Sequence, residues 1–317
     1  MPRVDGRDRD RADAVIRIEW DPLDTDVATC VAGVVTIHER GRVREVARDV
    51  LDMRWLADGP MFTIEDRGFL RWRREGAIVD EHLRVPRYDY QTLVGALIAS
   101  TGARFVTFDA QAGYAPTATV ANVAGPIFQL RVDGARFNGP TTVALSGDGS
   151  RVAVAYDTVQ AGRGIAVWDV DDEKLLDRTW AAQPIEREAL AKLELDLTGK
   201  RLVTGVPEIG VASLGAIRIG AGEIYPRKLP GGVSAVAIEL RGQLTAYAYR
   251  EVPPGARGRL RFDYLSPNAK GPVAVEILDT QTLEHELPDI AAMAFSRDRR
   301  RLACLASTGA IEIVPVP

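Results

Sequence analysis

Apolar and polar residues alternate with period two along most of the chain, and the clearest stretch is TVALSGDGSRVAVAY (142–156) followed by GIAVWDVDDEKLL (164–176). Two alternating runs are joined by Gly-Asp-Gly, a third follows, then a turn: the pattern of an antiparallel meander. Leu145 ends the first run and Val152 begins the second seven residues later, with Asp148 and Gly149 supplying the turn. The same spacing recurs as Trp20 to Val27, Trp55 to Phe62, Ile98 to Phe105, Leu195 to Leu202 and Phe295 to Leu302, with Ile238 to Leu244 one residue shorter. Gly or Asp sits at each turn, as Asp24, Gly59, Gly102, Gly149, Gly199, Gly242 and Asp298.

A second anchor, a Gly followed by another alternating run, is found at Gly33, Gly68, Gly125, Gly164, Gly215, Gly271 and Gly309. The first anchors lie 35 to 57 residues apart, which brackets the period of propeller blades built from four antiparallel strands. Helical solenoids would need a 3.6-residue periodicity that is almost absent.

The stretch AMAFSRDRRRLACLASTGAIEIV (292–314) resembles the blade signature of WD40 and YVTN-type β-propellers. The likeness is degenerate: Trp168-Asp169 is the Trp-Asp pair at the end of a third run, and no Gly-His dipeptide occurs. The resemblance implies an all-β fold, a seven-bladed β-propeller of four-stranded antiparallel blades, and a role as a protein-interaction scaffold. We expect a flexible segment over 1–13 and a single domain over 14–317, with blades at approximately 12–48, 49–85, 86–138, 139–184, 185–230, 231–288 and 289–317. The last blade should be three-stranded or weakly completed by the N-terminus, with Pro315 and Pro317 blunting its edge.

Composition narrows the function. The chain of 317 residues is 46% hydrophobic and 26% charged, which excludes disorder and collagen-like structure. Forty Lys plus Arg against 44 Asp plus Glu give a net charge of -4, without the basic excess of a non-specific nucleic-acid or anionic-membrane binder. Nucleic acid is not expected as a direct ligand, nor a membrane. Five of the 40 basic residues are Lys, a skew we read as GC-rich coding and hence a bacterial source. Cys30 and Cys304 cannot form a disulfide framework, and the start MPRVDGRDRDRAD has no apolar core, so a cytoplasmic location is expected.

Candidate chemistry is sparse. His38, His82 and His285 fall on third or fourth strands of three different blades and should not converge on a metal. Glu19, Asp52, Glu194, Asp196 and Glu239 are inner-strand or adjacent carboxylates; they could ligate a divalent ion in the central tunnel, as in lactonase-like propeller hydrolases, or pair with Arg54 and Lys192. No GxSxG, P-loop or HExxH pattern is present. The basic runs Arg67, Arg71, Arg73, Arg74 and Arg297, Arg299, Arg300, Arg301 read as surface strands and turns, and Asp169, Asp171, Asp172 and Glu173 as a solvated turn. We therefore expect no catalytic residues, no metal and no cofactor.

Loop lengths point to binding. From the second-strand anchor to the next Gly, blades three to six have gaps of 20, 12, 13 and 27 residues, against six or seven in the others. Four neighbouring long loops would build one surface carrying Tyr114, Tyr249, Arg250, Arg257, Arg259, Arg261, Phe262 and Tyr264, residue types enriched at protein interfaces. The expected function is a non-enzymatic scaffold or regulatory subunit of a bacterial multiprotein complex, with a metal-dependent tunnel hydrolase or a small-ligand sensor as alternatives.

Overall fold

The computed structural model describes residues 15–39, 41–83, 92–110, 117–130, 135–136, 143–158, 162–180, 192–208, 211–218, 227–229, 233–250, 258–266, 277–287 and 289–317. Every regular element among them is a β-strand. The first sheet is β1 (Arg17–Trp20), β2 (Val27–Val31), β3 (Val34–Glu39) and β4 (Arg42–Ala47); the second is β5 (Val50–Trp55), β6 (Met61–Glu65), β7 (Phe69–Arg74) and β8 (Ala77–Leu83). The third is β9 (Thr92–Ile98), β10 (Phe105–Ala110), β11 (Thr117–Asn122) and β12 (Gly125–Leu130). In the fourth, β13 (Ala135–Arg136) and β14 (Val143–Leu145) both pair with β15 (Arg151–Thr158), followed by β16 (Gly162–Asp169) and β17 (Lys174–Trp180). The fifth is β18 (Lys192–Leu195), β19 (Arg201–Glu208), β20 (Val211–Arg218) and β21 (Arg227–Leu229), and the sixth β22 (Val233–Ile238), β23 (Leu244–Arg250), β24 (Gly258–Leu265) and β25 (Ile277–His285). The last holds only β26 (Ile290–Phe295), β27 (Arg301–Ala306) and β28 (Ile311–Pro315).

The chain is thus an all-β propeller of four-stranded antiparallel blades, but with six complete blades where the sequence led us to expect seven. The seventh unit is a three-stranded sheet. Among the described residues no strand pairs with the outer edge of β28, and Pro315 at its end has no N–H to donate.

The first anchor marks a real hairpin in every unit. Trp20 faces Val27, Ile98 faces Phe105, Leu145 faces Val152, Leu195 faces Leu202 and Phe295 faces Leu302. In the second sheet Trp55 faces Met61 rather than Phe62, and in the sixth Ile238 faces Thr245, so that hairpin is not one residue shorter. Each turn closes with one N–H to the carbonyl three residues back, at Asp24, Gly59, Gly102, Gly149, Gly199, Gly242 and Arg299. All seven of these residues have positive φ. In the last turn Asp298 is therefore not the bend residue; its carboxylate accepts from the Ser296 hydroxyl and the Arg300 N–H.

The second anchor holds in three units, where Gly33, Gly68 and Gly309 precede β3, β7 and β28. Gly164 and Gly215 instead lie inside β16 and β20, Gly125 opens a fourth strand, and Gly271 lies outside the described residues. The four long loops consequently dissolve. In blades four and five β15–β16 and β19–β20 are eight-residue strands that stay paired to Thr158 with Gly162 and to Glu208 with Val211. In blade six RGRLRFDYL is the third strand itself. What remains between second and third strands is 111–116 in blade three and 251–257 in blade six, and only 159–161 and 209–210 in the two blades between them.

One apolar cluster fills each interface between consecutive sheets, and the series is continuous round the ring. Phe62 and Phe105, both fully buried, meet between the second and third sheets with ring centroids 6.3 Å apart, each contributing about 1.5–3 kcal/mol by burial. Ile18, Trp20 and Val27 of the first sheet pack on Ala303 and Leu305 of the last. That closure is made by side chains. The Trp20 Nε1–H donates to the Ala294 carbonyl at 3.0 Å, Arg301 lies 4.5 Å over the Trp20 ring, and the Asp24 carboxylate accepts from the Arg297 and Asp298 N–H groups.

Candidate functional site: the central tunnel

The innermost strands β1, β5, β9, β14, β18, β22 and β26 ring a tunnel whose side nearest the first hairpin turns holds a cavity of about 270 Å³, lined from all seven sheets. β1 carries Arg17 and Glu19, and β5 carries Asp52 and Arg54, two residues apart in each case, so both pairs project on one side of their strands. Arg17 Nε donates to Asp52 Oδ1 at 2.5 Å and Arg17 Nη2 to Asp52 Oδ2 at 3.3 Å, while Arg54 donates to Glu19. The same two β5 side chains hold the third sheet: Ile98 N–H donates to Asp52 at 2.7 Å, and Arg54 Nε donates to the Ile98 carbonyl at 2.9 Å. Asp52 is fully buried. This crossed set ties three sheets together where no backbone ladder joins them.

The electrostatics follow from that packing. Burial works to lower the Arg17 guanidinium, but the charges of Asp52, Glu19 and Glu194 outweigh it and hold it above its usual range. Glu194, on β18, lines the same cavity and has no hydrogen bond to another described residue. Burial pushes its carboxyl up, as do Glu19 and Asp52, against the opposing pull of Arg17 and Arg54.

The five carboxylates singled out in the sequence therefore divide. Glu19 and Asp52 are ion-paired to arginines, and Glu194 lines the cavity facing those two pairs. Asp196 caps its turn by accepting the Arg201 N–H, and Glu239 accepts the Arg241 and Gln243 N–H groups and pairs with Arg299 at 3.4 Å. Of the two expected basic partners, Arg54 is one; nothing is described of the Lys192 side chain. Among the described residues no three His, Cys, Asp or Glu side chains are grouped to hold a metal ion.

Arg17 escaped the sequence reading, and so did a repeated staple. The Arg two residues after a turn donates to the turn carbonyl of the next sheet: Arg104 to Gly149 at 3.1 Å, Arg151 to Gly199 at 3.3 Å, Arg201 to Gly242 at 2.6 Å, and Arg301 to Asp24 at 2.7 Å across the closure. The spacing Gly-x-Arg at 102–104, 149–151 and 199–201 was the available signal.

The other candidates take structural places. His38, His82 and His285 sit on β3, β8 and β25, apart from one another, and burial lowers His38. Cys30 on β2 and Cys304 on β27 are buried thiols pushed up to about 12 by desolvation. Arg71 bridges Glu65 and Glu81 and lies 4.8 Å over Phe69, and Arg73 pairs with Glu65. Asp169 caps its turn by accepting the Asp171 and Asp172 N–H groups.

The expected partner-binding set does not form one patch. Tyr249 and Phe262 are buried, at 6% and 0% exposure, in interfaces of the sixth sheet. Arg261 donates to buried Asp263 at 2.8 Å. Tyr264 is at the other end of β24 from Gly258, where its hydroxyl donates to the Pro317 carbonyl; that span is roughly 20 Å. Arg259 is partly exposed beside Glu284. Arg250 ends β23, its side chain undescribed, and Tyr114 and Arg257 lie outside the described residues.

No protein-family model and no curated protein matches the sequence. Solved structures do match in fold. Hydrazine synthase from Kuenenia stuttgartiensis aligns with a TM-score of 0.65 at 12% identity, covering 94% of this chain and 94% of that one. The Cps50 (Swd1) β-propeller domain of Myceliophteria thermophila aligns at 0.62 and 13% identity, covering 95% and 97%. A chain of the mitotic checkpoint complex aligns at 0.63 and 13%, covering 94% and 86%. The chain therefore has the β-propeller fold, with WD40-type propellers among its structural neighbours.

Proposed function

We propose that the protein is a non-enzymatic interaction scaffold, a regulatory subunit of a cytoplasmic bacterial multiprotein complex. The observation that carries this reading is the fold itself. A ring sealed by seven apolar interfaces and crossed by arginine staples is a rigid display platform, and its neighbours include a propeller of the mitotic checkpoint complex. The tunnel carboxylates support it from the other side: four of the five are engaged in ion pairs or turn caps, which argues against the metal-dependent hydrolase.

The docking face we propose is the side opposite the first hairpin turns, where β10 and β23 end, β11 and β24 begin, and Arg259 follows Gly258, the first residue of β24; Tyr114 and Arg257, outside the described residues, precede β11 and β24 in the sequence. Blades three and six, rather than four consecutive blades, carry it. Affinity purification of the full chain from its native host should yield a stoichiometric protein partner. The double variant R257E/R259E should lose that partner while keeping its thermal midpoint, since both changes lie at or beside a connection. A partner retained by the variant would place the interface elsewhere, and no stoichiometric partner at all would overturn the scaffold reading.

A further inference from the structure

The charges around the tunnel cavity do not cancel locally. Arg17, Arg54 and Arg299 are matched by Asp52, Glu19 and Glu239. Two residues exposed at the rim, Arg241 and Arg297, have no side-chain hydrogen bond or ion pair among the described residues. They come from corresponding turns of the sixth and seventh sheets and line the same cavity as Glu194. We propose that this cavity binds a small organic oxyanion, its carboxylate or phosphate group held by Arg241 and Arg297 and its uncharged polar end against the Glu194 carboxyl. Two guanidiniums facing one opening present forked donors that match either oxyanion. The low-dielectric walls concentrate their field at the mouth.

Glu194 sets how this site responds to pH. The groups facing it are Arg17 and Glu19 on β1 and Asp52 and Arg54 on β5, two cations and two anions that balance. Its own charge is therefore the one that changes: ionised, it opposes an anion in the cavity; protonated, it donates a hydrogen bond. Burial already pushes it toward the protonated form. Affinity for an anion should rise as pH falls.

The site is independent of the scaffold reading and lies on the opposite side of the ring. It is tested by calorimetric titration of the full chain with sulfate, as a non-titrating tetrahedral oxyanion, and separately with glycolate, a carboxylate with an uncharged hydroxyl end, which distinguishes phosphate-like from carboxylate ligands. Saturable one-to-one binding of at least one is expected, tighter at the acidic end of a pH series than at its alkaline end, in the direction that protonation of Glu194 requires. R241E/R297E should weaken it at least tenfold with an unchanged thermal midpoint, and Glu194→Gln should keep binding but abolish the pH dependence. Failure of both anions to saturate, or equal binding by the double variant, would overturn the proposal. A pH dependence surviving in Glu194→Gln would remove Glu194 from it.

Discussion

At the scale of single residues, Asp52 is where the tunnel is most tightly specified. Its two oxygens receive the Arg17 fork and the Ile98 N–H with no exposed surface, so Asp52→Ala leaves a buried guanidinium and a backbone donor unmatched. We expect a loss of about 3–5 kcal/mol in denaturant unfolding; a loss below about 1 kcal/mol would mean that Arg17 finds another partner. Glu194 predicts the opposite sign. Its folded pKa lies above the ordinary value of 4.5, so the protonated form favours folding; that contribution is complete below about pH 4.5 and is lost as pH rises through the folded value. Glu194→Gln should therefore match the wild type in stability near pH 4 and exceed it near pH 8, read from paired urea melts. Equal stabilities at both pH values would contradict the account of that side chain. The sequence showed that these carboxylates were inner-strand residues and offered ion pairing as one outcome. It could not show which were paired, because the partners of Asp52 lie 35 and 46 residues away in the chain.

At the scale of elements, the first hairpin of each unit was readable and the second was not. Strand ends in the first hairpin are set by a turn residue of positive φ, which is Gly or Asp in six of the seven units and leaves a mark in the sequence, Arg299 being the exception. The second hairpin is marked only where the turn needs such a residue, as at Gly33. Where strands lengthen, as in β15–β16 and β19–β20, a Gly such as Gly164 or Gly215 falls inside a strand and imitates a turn. The third strand of blade six, β24, was hidden because the second anchor was placed at Gly271, further along the chain. The staples give a discriminating test. A Cβ on Gly149, at φ +75°, would come 2.8 Å from the Arg104 Cβ, whereas one on Gly41, at φ +88°, meets nothing within 4 Å. Both alanine variants pay the backbone strain of about 1 kcal/mol, and Gly149→Ala should lose clearly more in thermal unfolding because it also displaces the staple. Equal losses would show that the Arg104 packing adds nothing.

At the scale of the whole molecule, no strand among the described residues is shared between the last sheet and the first, so the weakest seam should be the one between them. Arg301 bonds Asp24 and covers Trp20 there. Arg301→Ala should raise amide exchange in β1 and β26 before any other inner strand, while Arg104→Ala, in mid-ring, should not. The seven first-hairpin anchors located the seven sheets, but only three of the second anchors marked a turn before a third strand, and the sheets make six complete blades rather than seven. The sequence left two outcomes for the last unit, three strands or weak completion by the N-terminus; the described residues show three, and hence six complete blades, because which strand edges are paired is a property of the assembled sheet. The same distance between local pattern and assembly explains why Tyr249 and Phe262 read as loop aromatics although they are buried residues of long strands.

The functional account rests on the ring acting as a platform for another protein. Its most direct test is light-scattering mass measurement of the complex purified with the full chain from the native host, run beside R257E/R259E. The account predicts a defined stoichiometric assembly for the wild type and a free, normally folded chain for the variant. A wild-type chain that elutes alone at its own mass would contradict it.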